Sequence, residues 1–229
     1  MPDVIQLGPI LIKMSLLSMA ISVVLAFAAV RLRLRDEQVL QKVILELMSS
    51  SLLLAFLVWK FSYVLFYPAK ALAQPSSLLY FSGGDRGLWL ALIAGVVFVV
   101  IRIRKQGIPI PKVVDAYVTG GLVAWGVGHV LSWGTGGMEG WYDPQQALIA
   151  AGFVLWMIRK VDRAANVVPW LQLLMWFSIS QVYAAFFSPE QKALLAGLSK
   201  EQQIFYSISV LALFLANRAR DTGGTPDEE

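Results

Sequence analysis

Residues 60–104 read KFSYVLFYPAKALAQPSSLLYFSGGDRGLWLALIAGVVFVVIRIR. One apolar run ends near Tyr67. A loop with Pro75 leads to the turn Gly83-Gly84-Asp85-Arg86-Gly87. A second apolar run then continues to Arg102, Arg104 and Lys105. Two apolar runs joined by a glycine turn and closed by basic residues are the pattern of a membrane-crossing pair. A bilayer core needs about 20 apolar residues per helix, and Lys and Arg collect at the cytoplasmic edge. Lys60 stands inside the first run. A charge there costs about 2.5–3.5 kcal/mol on insertion scales, which makes it a candidate functional residue.

The rest of the chain agrees with that reading. Of 229 residues, 57% are hydrophobic and 15% charged, and the mean hydropathy is +0.64; a soluble domain carries about 25% charged residues. These values predict an all-α polytopic membrane protein with a single membrane domain over residues 1–217. The strict apolar/polar alternation of a transmembrane barrel is not seen in the sequence. There is no cysteine and a single histidine, His129, which excludes disulfides, thiolate catalysis and metal sites built from Cys or clustered His.

Seven apolar segments follow, at about 9–30, 43–67, 87–103, 112–133, 145–158, 167–187 and 203–217. The fifth and seventh are short. With the N-terminus outside, the inner loops hold Arg31, Arg33, Arg35, Lys42, Arg102, Arg104, Lys105, Lys112, Arg159, Lys160, Arg163, Arg218 and Arg220. The outer loops hold only Lys70, Arg86, Lys192 and Lys200. The bias predicts N-terminus out and C-terminus in. It also accounts for the pI of 9.4 by attraction to anionic lipid, so no nucleic-acid partner is implied. Ala26-Phe27-Ala28 could serve as a signal-peptide cleavage site, but the arginines that follow oppose translocation, and the segment is read as a retained helix. Residues 134–144 read as an outer turn, 188–202 as a short amphipathic surface helix, and 218–229 as a disordered cytoplasmic tail.

The ionisable candidates inside the apolar segments are Lys13, Glu46, Lys60, Asp115 and His129. Lys13 and Glu46 lie near segment ends, where snorkelling explains them. Asp115, three residues after Lys112, suits a helix start and an ion pair with that lysine. His129 is read either as a hydrogen-bonding partner of a neighbouring helix or as a titrating base. Lys60 and Arg86, with Gly83, Gly84 and Asp85, could hold a lipid phosphate. Gly120, Gly121, Gly126 and Gly128 are read as close-packing positions.

Leu7-Gly8-Pro9-Ile10, Lys60-x2-Tyr63-Val64-Leu65-Phe66-Tyr67, Gly83-Gly84, Pro111-x3-Asp115, the glycine-rich Gly126–Gly137 region and Gln181-x4-Phe186-Phe187-x-Pro189 occur in that order. Together they resemble prolipoprotein diacylglyceryl transferase. That bacterial membrane enzyme moves a diacylglyceryl group from phosphatidylglycerol to a lipoprotein cysteine. The resemblance implies a seven-helix fold in the bacterial cytoplasmic membrane, a site that meets phospholipid, and no cofactor. It breaks at the chemistry. The family's His-Gly-Gly falls on Leu88-Trp89-Leu90, its Arg-x-x-Asn on His129-x-x-Ser132, its late arginine on Gln181 and its early tyrosine on Ser15. A general base alone supplies about 10²–10⁴ in rate. The expectation is therefore a catalytically degenerate member that binds phospholipid or a membrane or lipoprotein partner. One alternative is an active transferase with relocated residues, His129 as base and Lys60 and Arg86 on the phosphate. A small-solute transporter using Lys60 and Asp115 ranks last, because the paired broken helices of transporter repeats are not seen.

Overall fold

The computed structural model describes residues 4–7, 10–69, 83–134, 140–160, 168–188, 193–195 and 197–221. These residues are helical apart from two small hairpins. The seven helices are α1 (Met14–Arg33), α2 (Gln38–Phe66), α3 (Gly84–Gln106), α4 (Ile110–Gly134), α5 (Tyr142–Lys160), α6 (Val168–Ala185) and α7 (Lys200–Asp221). Each expected segment falls on one helix. The Pro75 loop, residues 135–139 of the outer turn and residues 222–229 of the expected tail lie outside the described residues.

Several boundaries differ from the expectation. The first segment does not start as a helix at residue 9. Strands β1 (Val4–Leu7) and β2 (Ile10–Lys13) pair antiparallel, Val4 with Lys13 and Leu7 with Ile10. Val4, Ile5, Ile10 and Ile12 are β-branched and suit extended backbone. Among the described residues of 188–202 there is no amphipathic helix. β3 (Ala193–Leu195) pairs with β4 (Leu198–Ser199), and Gly197 at φ +75° supplies a left-handed position that a continuing helix could not use. The short fifth and seventh segments become full helices of 19 and 22 residues. α7 gains its extra turn from a capping box. Gln202 N–H donates to Ser199 Oγ at 3.3 Å, and Ser199 N–H donates to Gln202 Oε1 at 2.8 Å.

The chain forms two compact units, residues 31–114 in one and residues 1–30 with 115–229 in the other. In the first, α2 and α3 pack antiparallel along small residues. Gly83, Gly87, Ala91 and Gly95 recur every four residues, a stripe that lets helix backbones approach closely. A Cβ on Gly87 would stand 2.2 Å from Ser62 Oγ, and one on Gly83 would stand 1.9 Å from it. Trp59 C=O accepts both the Gly83 N–H at 3.1 Å and the Ser62 hydroxyl at 2.7 Å. The Lys112 ammonium bonds Glu37, fastening the start of α4 to the start of α2.

α2 and α3 are long and apolar enough to cross a membrane. Only 11% of the apolar window of α3 is buried, so it is not the core helix of a soluble protein. Leu53, Phe61, Leu65, Trp89, Ile93 and Val96 all face outward. An apolar surface on this scale exceeds what soluble monomers expose and points to membrane association.

In the second unit, Leu122 of α4, Met157 of α5 and Leu173 of α6 form a core, with Phe153, Trp156, Trp170 and Phe177 around it. The Phe153 and Phe177 rings meet edge to face at 5.6 Å. A Cβ on Gly126 would lie 2.9 Å from Ala150 Cβ, so glycine sets the approach of α4 to α5. α6 and α7 pack against each other, and Ser178, Ala184 and Ala185 of α6 and Ser209, Ala212 and Ala216 of α7 are buried.

The α2–α3 contact yields a test. Gly87→Ala is expected to lower the thermal midpoint in mild detergent, at about 1–3 kcal/mol for overpacking. Ser62→Ala in the same chain should return most of the loss, because the Ser62 Cβ itself is at 3.4 Å. An unchanged midpoint for Gly87→Ala would mean the helices do not meet there.

Candidate functional site

The site lies in the second unit, where α4, α5 and α6 place polar side chains on their inward faces. Trp125 and His129 stand one turn apart on α4. Asp143 and Gln146 stand one turn apart at the start of α5. Gln181 faces them from α6. Pro144 fits the first turn of α5 because the amide it lacks would have no helical acceptor.

His129 Nδ1 lies 2.6 Å from Asp143 Oδ1. Asp143 is 1% exposed, and its second oxygen, Oδ2, has no hydrogen-bond partner. The imidazole is held further by edge-on rings, Trp125 at 4.9 Å and Tyr142 at 5.7 Å. An Asp on Nδ1 fixes ring orientation and tautomer and directs Nε2 away from the carboxylate. This is the arrangement that orients a general base.

Deeper in the same site, Gln146 and Gln181 form a reciprocal amide pair. Each NH₂ donates to the other's carbonyl oxygen at 2.9 Å. Gln146 Oε1 also accepts the Trp125 indole N–H at 3.1 Å. Gln146 and Gln181 are 1% and 3% exposed. Gln202 of α7, also buried, donates to Val182 C=O at 3.2 Å and ties the capping box to α6. Among the described residues, no three His, Cys, Asp or Glu side chains gather as a metal site.

Beside the network, α5 and α6 frame an open groove of about 540 Å³, lined by Leu148, Gly152, Phe153, Trp156, Trp176 and Ser180. Its size falls in the ~300–1,000 Å³ range of small-ligand sites, and its walls are apolar and aromatic.

The residues singled out in the sequence divide between the two units. His129, Ser132, Asp115 and Gln181 belong to the second unit, and Lys60 and Gly83–Arg86 to the first. Ser132 is half-buried one turn beyond His129, and Asp115 is buried in the second turn of α4. The Gly83 N–H bond to Trp59 brings the start of α3 beside the helical turn that carries Lys60. The expected Gly-Asp-Arg loop is instead the first turn of α3. Asp85 and Arg86 are exposed on it and form no ion pair with each other.

Asp143, Gln146, Trp125 and Gln202 escaped the sequence reading. Their signal was present as helical spacing: Asp143-x2-Gln146, Trp125-x3-His129 and Ser199-x2-Gln202 each put two polar groups on one face. Asp143-Pro144 looks like the end of a turn, and that concealed the first pair.

No protein-family model matches the chain, and no curated protein matches its sequence.

The amide pair predicts strong coupling. Gln146→Leu should cost about 1–3 kcal/mol, because it strands the buried Gln181 amide and the Trp125 N–H. Gln146→Leu with Gln181→Leu should cost clearly less than the two single losses added. Additive losses in thermal unfolding would dismiss the pair as a unit.

Proposed function

We propose that this chain is a multi-pass protein of the bacterial cytoplasmic membrane, similar in fold to prolipoprotein diacylglyceryl transferase, that binds phospholipid without transferring it. Its physiological role on this reading is to hold a lipid, phosphatidylglycerol included, or a lipidated membrane partner. The observation that carries the reading is the Gln146–Gln181 pair. At the position where the resemblance calls for a phosphate-binding arginine, the chain has a buried amide whose hydrogen bonds go to its neighbour. Such a group adds no positive charge for a lipid phosphate. The aromatic groove between α5 and α6 suits an acyl chain.

Seven membrane crossings with the N-terminus outside are supported by the charge pattern of the helices. α1 ends in Arg31 and Arg33, α3 in Arg104 and Lys105, α5 in Arg159 and Lys160, and α7 in Arg218 and Arg220. α3, α5 and α7 begin with Asp85, Asp143 and Glu201. In a serpentine chain the ends of odd-numbered helices share one side, so this pattern satisfies the positive-inside rule and the helix dipole together.

The native chain has no cysteine, so single cysteines report topology cleanly. In intact cells, an impermeant maleimide should label Trp141→Cys, while Asp36→Cys and Gln106→Cys should label only after permeabilisation. The reverse pattern would invert the topology.

The 2.6 Å His129–Asp143 contact favours one second reading, an enzyme with His129 as base. Complementation separates the two. Expressed in cells depleted of their own diacylglyceryl transferase, the chain is expected to leave a reporter lipoprotein without diacylglyceryl-cysteine by mass spectrometry. Diacylglyceryl-cysteine that disappears with His129→Ala would replace the binding reading with the enzymatic one.

A further inference from the structure

At the end of the α2–α3 pair remote from Gly83 lies a second cavity, of about 390 Å³. Leu40, Val43, Leu47 and Phe98 give it apolar walls. Glu46 and Ser50 of α2 and Arg102 and Gln106 of α3 line it as well. The Arg102 guanidinium sits 5.5 Å over the Phe98 ring, a contact that favours an extended, oriented arginine. Glu46 and Arg102 share the cavity, yet among the described residues neither forms an ion pair. An acid and a base left unpaired on an apolar-walled cavity match a ligand carrying both opposite charges.

We propose that this cavity binds the headgroup of an aminophospholipid, with its phosphate on Arg102 and its ammonium on Glu46. The apolar walls take the first part of the acyl chains. An anionic headgroup without an amine would meet Arg102 but leave Glu46 without a counter-charge. The occupant is a lipid rather than a free phosphoamine because the cavity lies between the two helices of membrane-crossing length, beside the basic last turn Arg104 and Lys105. The inference rests on the membrane reading above and extends it to a second site and a different lipid class.

The test uses the full chain in detergent micelles with equal phosphatidylethanolamine and phosphatidylglycerol, and counts retained lipid by mass spectrometry after exchange. The wild type is expected to retain phosphatidylethanolamine over phosphatidylglycerol by about tenfold, the scale of one charge-assisted contact. Glu46→Gln should erase that preference while keeping phosphate lipids, and Arg102→Gln should lose both. Arg102→Lys, which keeps the charge, should retain binding and shows that the fold survives. A wild-type preference for phosphatidylglycerol, or unchanged retention in Glu46→Gln and Arg102→Gln, overturns the proposal. So does free phosphoethanolamine competing as well as the lipid, which would assign the cavity to a soluble ligand. Gly152→Trp, which fills the α5–α6 groove, separates the two readings. Loss of lipid in that variant alone leaves the function proposed above and removes this site, whereas loss in no variant removes both.

Discussion

A carboxamide buried among apolar helices must find its hydrogen bonds inside the protein, because neither lipid nor packed side chains can supply them. Gln146 is placed under that constraint at 1% exposure, and much of the second unit follows from how it is met. Its carbonyl takes the Trp125 indole from α4 and the Gln181 amide from α6. One side chain thereby fixes the registers of three helices. Apolar contacts such as Phe153 on Phe177 tolerate sliding, but an amide pair at 2.9 Å does not. The network therefore contributes to specificity, and it can do so even where its net stabilisation is small.

The same register delivers the dyad. Asp143 is one turn before Gln146 on α5, and His129 is one turn after Trp125 on α4. Once Trp125 meets Gln146, the next turn outward brings His129 to Asp143. The 2.6 Å contact is thus partly a geometric consequence of the amide pair, repeated one helical turn along. An oriented histidine supported in this way does not by itself establish catalysis. The same bond would be made by two helices that use it as a second clamp. What marks the position as more than a clamp is the unpartnered Asp143 Oδ2, since a buried carboxylate oxygen without a donor costs free energy that the fold must recover elsewhere.

The helices were legible because their signals are long and redundant. Apolar runs of membrane length, basic clusters at alternate ends and glycine punctuation all report the same elements. The close approach of Gly83 and Gly87 to Ser62 was not among the glycine contacts read from the sequence. The misread parts are short. Val4–Lys13 and Ala193–Ser199 form hairpins of two to four residues per strand, too brief for apolar periodicity to separate from a helix end. The Lys112–Glu37 bond escaped the sequence reading for a different reason. Spacing along one helix points to Asp115, whereas Glu37 is remote in sequence and follows only from tertiary packing.

The site was legible by half for the same reason. His129 and Gln181 drew notice as departures from a family pattern, while their partners Asp143 and Gln146 did not, because Asp and Gln after Trp141-Tyr142 resemble ordinary turn chemistry. On the resemblance proposed above, Gln181 stands where the family has an arginine. A glutamine in place of a cation reads as loss when the residue is considered alone. Beside Gln146 it reads as replacement. Gln146 and Gln181 are neutral groups that satisfy each other within the protein. An arginine at that place would leave a buried cation facing an amide, at a cost of several kcal/mol unless an anion arrived to meet it. The paired glutamines carry no such dependence, so this part of the core needs no counter-ion.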